Sequence, residues 1–364
     1  MKAARFHGVK DIRIEEIPLP TTAAGLALID VEWCGICGTD LHEYLAGPVL
    51  ISPTNKPHAL TGEHMPIVMG HEFCGRIRQL PDGYRGVLAV GQPVMVDPRI
   101  YCGICNTCNE ISTNFCPKIG FLGLNGQGGG LAETAAVDVN MCYALPETVD
   151  LRLAALIEPL SVARHAVRVS GITDLSRIRV LILGGGPIGQ AVALTLKNWG
   201  ALEVIASEPA DLRREQIKHL VDAVIDPRAQ NVVAECKNLT CGSGIDLVFD
   251  CAGVLPAMNA AFDALKNRGI YVNVAVAWQS PPIIPLTAFM LKEITIKGTL
   301  TYEDEDFAAV VHDFSIGRFG NLESMVTARI GLDEVVDGGF ERLICDKDRH
   351  IKILVIPRRH LLSL

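Results

Sequence analysis

Several features are scarce in this 364-residue chain, and each scarcity excludes something. Aromatic residues make up only 5%, the net charge is −8, and there is no basic tract or aromatic-rich basic face, so nucleic acid is not an expected partner. No uninterrupted apolar run reaches the roughly 20 residues a membrane-spanning helix needs. The opening "MKAARFHGVKDIRIEEIPLP" carries charge throughout and has no apolar core segment, so a secretory leader is not expected. The closing "RRHLLSL" matches no common address tail, although its last residues loosely echo a peroxisomal signal. Internal repeats and low-complexity segments are also missing. Hydrophobic residues make up 49% and charged residues 20%, which leaves a soluble, cytoplasmic globule as the expectation. Its length is too great for one ordinary core and suits two domains.

Cysteine, by contrast, is plentiful, with twelve in the chain. In a reducing compartment that number points to metal sites or reactive thiols rather than a disulfide framework.

The texture of the chain changes once. Up to about Leu151, Gly and Pro interrupt short alternating or apolar runs such as "LALIDVEW" and "RGVLAVGQPVMVD", the pattern of antiparallel strands in a barrel-like domain. "DLRLAALIEPLSVARHAVRVSG" then shows apolar residues at helical spacing and ends at Gly171. From "IRVLILGG" onward, apolar strands alternate with amphipathic helices, which predicts a parallel sheet with crossover helices. The tail from about Thr301 is mixed, and "IKILVIP" within it reads as a strand that returns to the first domain. The expected division is 1–160 with 301–364 in a β-rich domain, and 161–300 in an α/β domain.

"VLILGGGPIGQAVAL" places Gly184, Gly186 and Gly189 at G-x-G-x-x-G spacing, after a strand and at a helix start. Gly184 permits the tight turn, Gly186 lets the backbone approach a pyrophosphate, and Gly189 lets helix and strand pack closely. Pro187 and Ile188 complete this candidate dinucleotide loop. Glu208 ends the next strand, where a carboxylate can accept both ribose hydroxyls of NAD and repel the extra phosphate of NADP. Two alternatives remain at this point: Glu208 as a cap for the helix opening at Pro209, and Arg213 or Arg214 as partners for a 2'-phosphate.

"CGICNTCNEISTNFC" holds Cys102, Cys105, Cys108 and Cys116, a set suited to a closed, structural tetrahedral zinc site. Disulfides and an iron–sulfur cluster are the competing uses of such thiols. "EWCGICGTDLHEY" is ambiguous on its own. Cys34 and Cys37 could form a redox dithiol or contribute to a metal site, and Thr39, Asp40 and His42 follow at once. His71 in "MGHEFCGRI" and Glu158 in "LIEPLS" could join Cys37 as sulfur, nitrogen and oxygen ligands. Three protein ligands and one exchangeable position make the pattern of a catalytic zinc.

With these motifs in view, the chain resembles the zinc-dependent medium-chain dehydrogenases. The polyol branch fits best, with its sorbitol, xylitol, threonine and 2,3-butanediol dehydrogenases. "CGICGTDLHE", "GHEFCG", the four-cysteine segment, "EPLSVARHAV", "GGGPIGQ" and "DCAG" carry the likeness over most of the chain. "WCGICGTDLHEYLAGP" and the long connection before "MGHE" are most similar to the butanediol dehydrogenase group of fungi, although the four-cysteine segment is shorter than in some of its members.

The resemblance implies a GroES-like catalytic domain, a doubly wound Rossmann domain, two zinc ions per chain and NAD. It implies that Cys37 ligates the catalytic zinc while Cys34 packs behind it, that His71 is the second ligand, and that Glu158 is the third or holds the zinc-bound water. Glu72 would lie beside the metal and exchange onto it, and Asp40 would orient His71. Thr39 would hydrogen-bond the substrate oxygen, and His42 would finish a proton relay, unless it is simply a surface histidine. His58 and His64 read as ordinary loop residues.

The implied substrate is a small secondary alcohol or vicinal diol, interconverted with its ketone, in a homodimer or homotetramer without membrane contact. Alternatives are sorbitol, xylitol or threonine oxidation and a larger biosynthetic alcohol. From other classes come a thiol redox protein and a non-catalytic nucleotide-binding protein. Ile36, Tyr44, Leu45, Phe121 and Trp278 are candidates for setting specificity.

Overall fold

A computed structural model of the chain describes residues 1–22, 25–126, 128–276 and 283–358. Trp278 and the last six residues of the "RRHLLSL" tail therefore lie outside the described residues. The chain forms two units. One comprises Met1–Glu158, Glu303–Arg318 and the chain from Val326 onward, and the other Pro159–Tyr302 with Phe319–Met325.

The first unit is built around the strand Leu26–Gly35, whose sequence "LALIDVEWCG" is buried along most of its length. Glu72–Gln79, Thr134–Asp138 and Lys352–Ile356 all pair antiparallel with it. Pro93–Val96 and Cys142–Ala144 extend the sheet on one side, and Val326–Gly331 extends it on the other. Phe6, Ile29, Phe73, Val94, Leu131 and Val355 form part of the shared core. The "IKILVIP" tail is thus a strand of this sheet, 354 opposite 35 and 355 opposite 34. Its partnership with Val326–Gly331 is parallel, a departure from the antiparallel pattern expected for the early strands.

The register of the central strand has a direct consequence for the site. Gly35 lies opposite Glu72, so Ile36 and Cys37 leave the sheet beside the start of the Glu72–Gln79 strand. A side chain at Gly35 would collide with Glu72 Oε2, so glycine makes room for that carboxylate.

The second unit is a six-stranded sheet, every neighbouring pair parallel. Its order is Ala223–Ile225, Glu203–Ser207, Arg179–Leu183, Ile245–Asp250, Leu265–Asn273, Thr295–Gly298. The chain starts in the middle, winds outward one way and then returns to wind the other way, which is the doubly wound dinucleotide-binding topology. Ile245–Asp250 is buried at every position, as expected of a central parallel strand covered on both faces.

The helical stretch "DLRLAALIEPLSVARHAVRVSG" forms two helices, Leu151–Ala154 and Ile157–Val169, where the periodicity suggested one. Pro159 explains the restart. Proline lacks an N–H and is tolerated only in a first turn, where that group has no intrahelical partner. The new helix therefore carries Glu158 in its own first turn.

Candidate active site

Cys37 sits at the N-cap of the helix Gly38–Ala46, directly after the central strand. The donor atoms of Cys37, His71 and Glu72 all lie within 4.8 Å of one another. Asp40 organises two of these three residues. Its Oδ2 accepts the Cys37 backbone N–H at 2.9 Å, and its Oδ1 lies 3.3 Å from His71 Nδ1. Asp40 is fully buried, and its contact with Nδ1 leaves the other ring nitrogen of His71 for a metal.

Cys34 belongs to the core. It is fully buried, its Sγ lies 3.5 Å from the Gly35 carbonyl, and burial pushes its thiol pKa well above the ordinary value. A thiol held protonated in an apolar pocket is a poor redox nucleophile, so its surroundings do not support the dithiol reading.

Glu158 is not one of the three residues whose donors cluster. It is buried nearby, and its pKa is pushed up to about 7, first by burial and then by the charge of Glu72, with His71 and Lys352 opposing. Among the described residues its carboxylate makes no hydrogen bond or ion pair. Glu72 differs in this respect. Its two oxygens each accept from Lys352 Nζ, at 2.8 and 2.7 Å, and both side chains are almost wholly buried. Two carboxylates thus compete for the third place beside Cys37 and His71, and one of them is already neutralised by a lysine. Sequence reasoning missed Lys352. The one available signal was a charged residue inside the otherwise apolar run "IKILVIP".

Thr39 Oγ1 lies 3.8 Å from Cys37 Sγ. His42 is one helical step further on, at the i+3 position from Thr39, and is exposed. Partial desolvation holds its pKa below the usual histidine value, which Glu43 opposes, so the ring is neutral and able to accept a proton at neutral pH.

Phe121 packs at a tilt against the His71 ring, with centroids 6.4 Å apart. Ile36 is buried in the core and Leu45 is exposed. The Tyr44 hydroxyl donates to Glu341 at 2.7 Å and its ring packs on Phe340, so its polar group is already committed. His58 contacts the Ile119 carbonyl and His64 the carbonyl of the adjacent Met65, and neither joins a metal-ligand cluster among the described residues.

The second cluster is Cys102, Cys105, Cys108 and Cys116. Sulfur–sulfur distances are 3.4 Å for Cys105–Cys108, 3.6 Å for Cys102–Cys116 and 3.9 Å for Cys102–Cys108. A zinc–thiolate bond of about 2.3 Å implies a tetrahedral edge of about 3.8 Å, so this cradle fits zinc and is far too open for disulfides. Backbone N–H groups of Ile104 and Cys105 pull the Cys102 thiol pKa down to about 6, while burial and then the Cys105 thiol push Cys108 up to about 12, so the four thiols ionise unequally.

In the second unit, Gly184 adopts φ +92°, a conformation closed to most side chains. Gly186 is the N-cap of the helix Pro187–Asn198, which places Pro187 and Ile188 in its first turn and aims free N–H groups outward. Gly189 packs so close to the Gly184 carbonyl that a Cβ would overlap it.

Glu208 is buried, with Oε2 accepting the Gly185 N–H at 2.6 Å and Oε1 accepting the Ala210 N–H at 2.7 Å. It therefore caps the following turn and also braces the glycine loop. Each oxygen keeps lone-pair capacity for a ribose hydroxyl. Arg214 bonds the Glu208 and Pro209 carbonyls and pairs with Asp211 and Asp226. Arg213 turns toward the loop, so that a side chain added at Gly186 would lie 3.7 Å from one of its guanidinium nitrogens.

Both donor sets suit zinc in ligand type, and the glycine loop with its acid suits a dinucleotide. Comparison with known proteins agrees. Residues 23–147 match the alcohol dehydrogenase GroES-like domain, and residues 187–315 match the zinc-binding dehydrogenase domain. The chain is 39% identical to (R,R)-butanediol dehydrogenase of Neisseria gonorrhoeae over 98% of its length and 99% of that protein. The crystal structure of 2R,3R-butanediol dehydrogenase from Bacillus subtilis superposes with a TM-score of 0.89 at 38% identity, covering 98% of this chain and 99% of that one. A zinc-binding dehydrogenase from Sinorhizobium meliloti, solved with NADP, gives 0.83 at 28% identity over 98% and 99% of the two chains. The chain accordingly belongs to the zinc-dependent, GroES-like alcohol dehydrogenase family, oxidoreductases that work with zinc and a nicotinamide dinucleotide.

Proposed function

We infer that this protein interconverts a vicinal diol of the 2,3-butanediol type with its hydroxyketone, using NAD and two zinc ions per chain. The observation that carries the substrate class is the match, end to end, to proteins named for that diol. Cys37, His71 and Glu158 would hold the catalytic zinc, and Cys102, Cys105, Cys108 and Cys116 the structural one. When bound, zinc would supply Lewis acidity toward the carbinol oxygen, and the dinucleotide would supply the hydride acceptor.

The remaining work falls to the chain's own residues. Asp40 fixes the Cys37 backbone and the His71 ring at once. Thr39 accepts a hydrogen bond from the substrate hydroxyl and releases its own proton as it takes that one, and the neutral His42 takes up the released proton and gives it to solvent. Gly184, Gly186, Pro187, Ile188 and Gly189 form the pyrophosphate turn, and Glu208 receives the ribose hydroxyls. The active form is a homodimer or homotetramer in the cytoplasm.

A purified enzyme assayed with stereoisomers of 2,3-butanediol, acetoin, sorbitol, xylitol, threonine and larger secondary alcohols tests the substrate. A kcat/KM for (R,R)-2,3-butanediol below that for any polyol would overturn the diol reading. Metal analysis should give two zinc ions per chain of unequal lability. The site with an exchangeable position should empty first, so a chelator should remove activity before the protein unfolds. A fully active preparation containing only one zinc would count against the two-site reading.

Glu208→Ala should weaken NAD by about one to two decades, since a charged hydrogen-bond acceptor of this kind contributes about 1.5–3 kcal/mol. Because Glu208 also braces the loop, the diagnostic quantity is the NAD/NADP ratio of kcat/KM, which should narrow through loss of charge repulsion. An unchanged ratio, or a wild type that prefers NADP, would assign the choice elsewhere, with Arg213 beside the loop as the next residue to test.

A further inference from the structure

Gln190 is wholly buried at the fourth position of the helix Pro187–Asn198, next to the equally buried Ala191, Val192 and Ala193. A buried amide is costly unless its hydrogen-bonding groups are used, and here only one end is. Its Nε2 donates to the Gly185 carbonyl at 3.0 Å, while its Oε1 meets no donor among the described residues. Turning the amide over would set oxygen against the carbonyl oxygen, so the Gly185 contact fixes its orientation. Packing alone would be served better by an apolar side chain of the same size, which leaves no polar atom unpaired. The use of this amide therefore lies in its nitrogen.

That nitrogen acts on the glycine turn. The Gln190 backbone N–H also donates to the Gly186 carbonyl at 3.0 Å, so one residue draws two successive turn carbonyls toward itself. The peptide linking Gly185 to Gly186 is trans, which sets its N–H on the side opposite its carbonyl. With the Gly185 carbonyl held toward Gln190, the Gly186 N–H is turned the other way, where it meets no acceptor in the chain among the described residues. Pro187 has no N–H, so Gly186 carries the turn's last donor before Ile188. The preceding peptide is held separately, by the Gly185 N–H on Glu208 Oε2 at 2.6 Å.

Taking the glycine turn as the pyrophosphate site proposed above, we propose that Gln190 is a positioning residue for the dinucleotide, holding the Gly185–Gly186 peptide so that the Gly186 N–H faces the pyrophosphate. A peptide between two glycines rotates readily when unanchored, because glycine populates positive and negative φ about equally. A rotated peptide would present its carbonyl oxygen to the phosphate oxygens in place of a donor.

The test uses purified, zinc-loaded enzyme and three probes. NADH is titrated by fluorescence, and ADP-ribose and adenosine by displacement of NADH. Gln190→Met keeps the side chain's length and removes both polar atoms, so it should melt within about 3 °C of wild type. Losing one oriented hydrogen bond should raise the Kd of NADH and of ADP-ribose about three- to tenfold. Adenosine has no pyrophosphate, and its Kd should stay within about twofold of wild type. A merely structural role for Gln190 would weaken all three probes alike or none.

An equal rise for adenosine, a rise confined to NADH, or wild-type values for all three in a folded variant would each overturn the proposal while leaving the turn as the dinucleotide site. If Gln190→Met does not fold, Gln190→Leu is read in the same way, and failure of both to fold would make the side chain a packing requirement and overturn the proposal. A wild type that binds neither NADH nor ADP-ribose would overturn the dinucleotide reading of the turn and this proposal together.

Discussion

Cys37→Ala should lower kcat/KM by about three orders of magnitude or more, while Cys34→Ser keeps most of the wild-type activity. The two cysteines are two residues apart, yet their surroundings are opposite. Cys37 occupies a helix N-cap beside His71 and Glu72. Cys34 is sealed in the core, where Gly70 and Gly130 pack against its sulfur. On the proposed zinc reading, losing the Cys37 sulfur would remove one of three ligands and with it the metal, whereas a serine at Cys34 changes polarity in the core and acts on stability. Steady-state kinetics with zinc content, run beside thermal unfolding, separate the two effects. Equal and complete loss of activity in both variants, each folded and able to bind dinucleotide, would return the pair to a dithiol role.

Gly189→Ala should abolish dinucleotide binding and destabilise the second unit by roughly 3 kcal/mol or more, at the upper end of what single substitutions do. The added methyl would meet the Gly184 carbonyl, a backbone atom that cannot rotate away as a side chain could. Gly184 is itself committed to a turn at φ +92°, and its N–H is bonded to the Ser207 carbonyl, so strand, turn and helix would all have to shift. Gly186→Ala is the control. Its added Cβ would meet no protein atom closer than 3.7 Å, so that variant should stay folded and lose dinucleotide affinity alone. Calorimetric unfolding and fluorescence titration with reduced dinucleotide distinguish the cases. A Gly189→Ala protein with wild-type melting temperature and affinity would refute the packing argument.

Much of the molecule was legible before its structure. The glycine loop, the four-cysteine segment and the alternation of apolar strands with helices are short-range patterns, and the sheet order and family matches agree with the fold they suggest. Cys102, Cys105, Cys108 and Cys116 sit in one loop, so spacing alone brings their sulfurs together. The break before Ile157 was not legible from periodicity, because both helices share one apolar phase and the restart depends on Pro159.

The sequence by itself determined the chemistry within reach: a sulfur, nitrogen and oxygen donor set, a dinucleotide turn and an acid beside it. Only the tertiary structure decided how the buried charges pair. Lys352 meets Glu72 across 280 positions of chain because the strand Lys352–Ile356 pairs antiparallel with Leu26–Gly35, which in turn sets Gly35 opposite Glu72. A shift of one residue in either register would turn those side chains to the opposite faces of the sheet. Residue type records that a charge exists, but which charge neutralises it in a low-dielectric interior is settled by the pairing of strands distant in sequence.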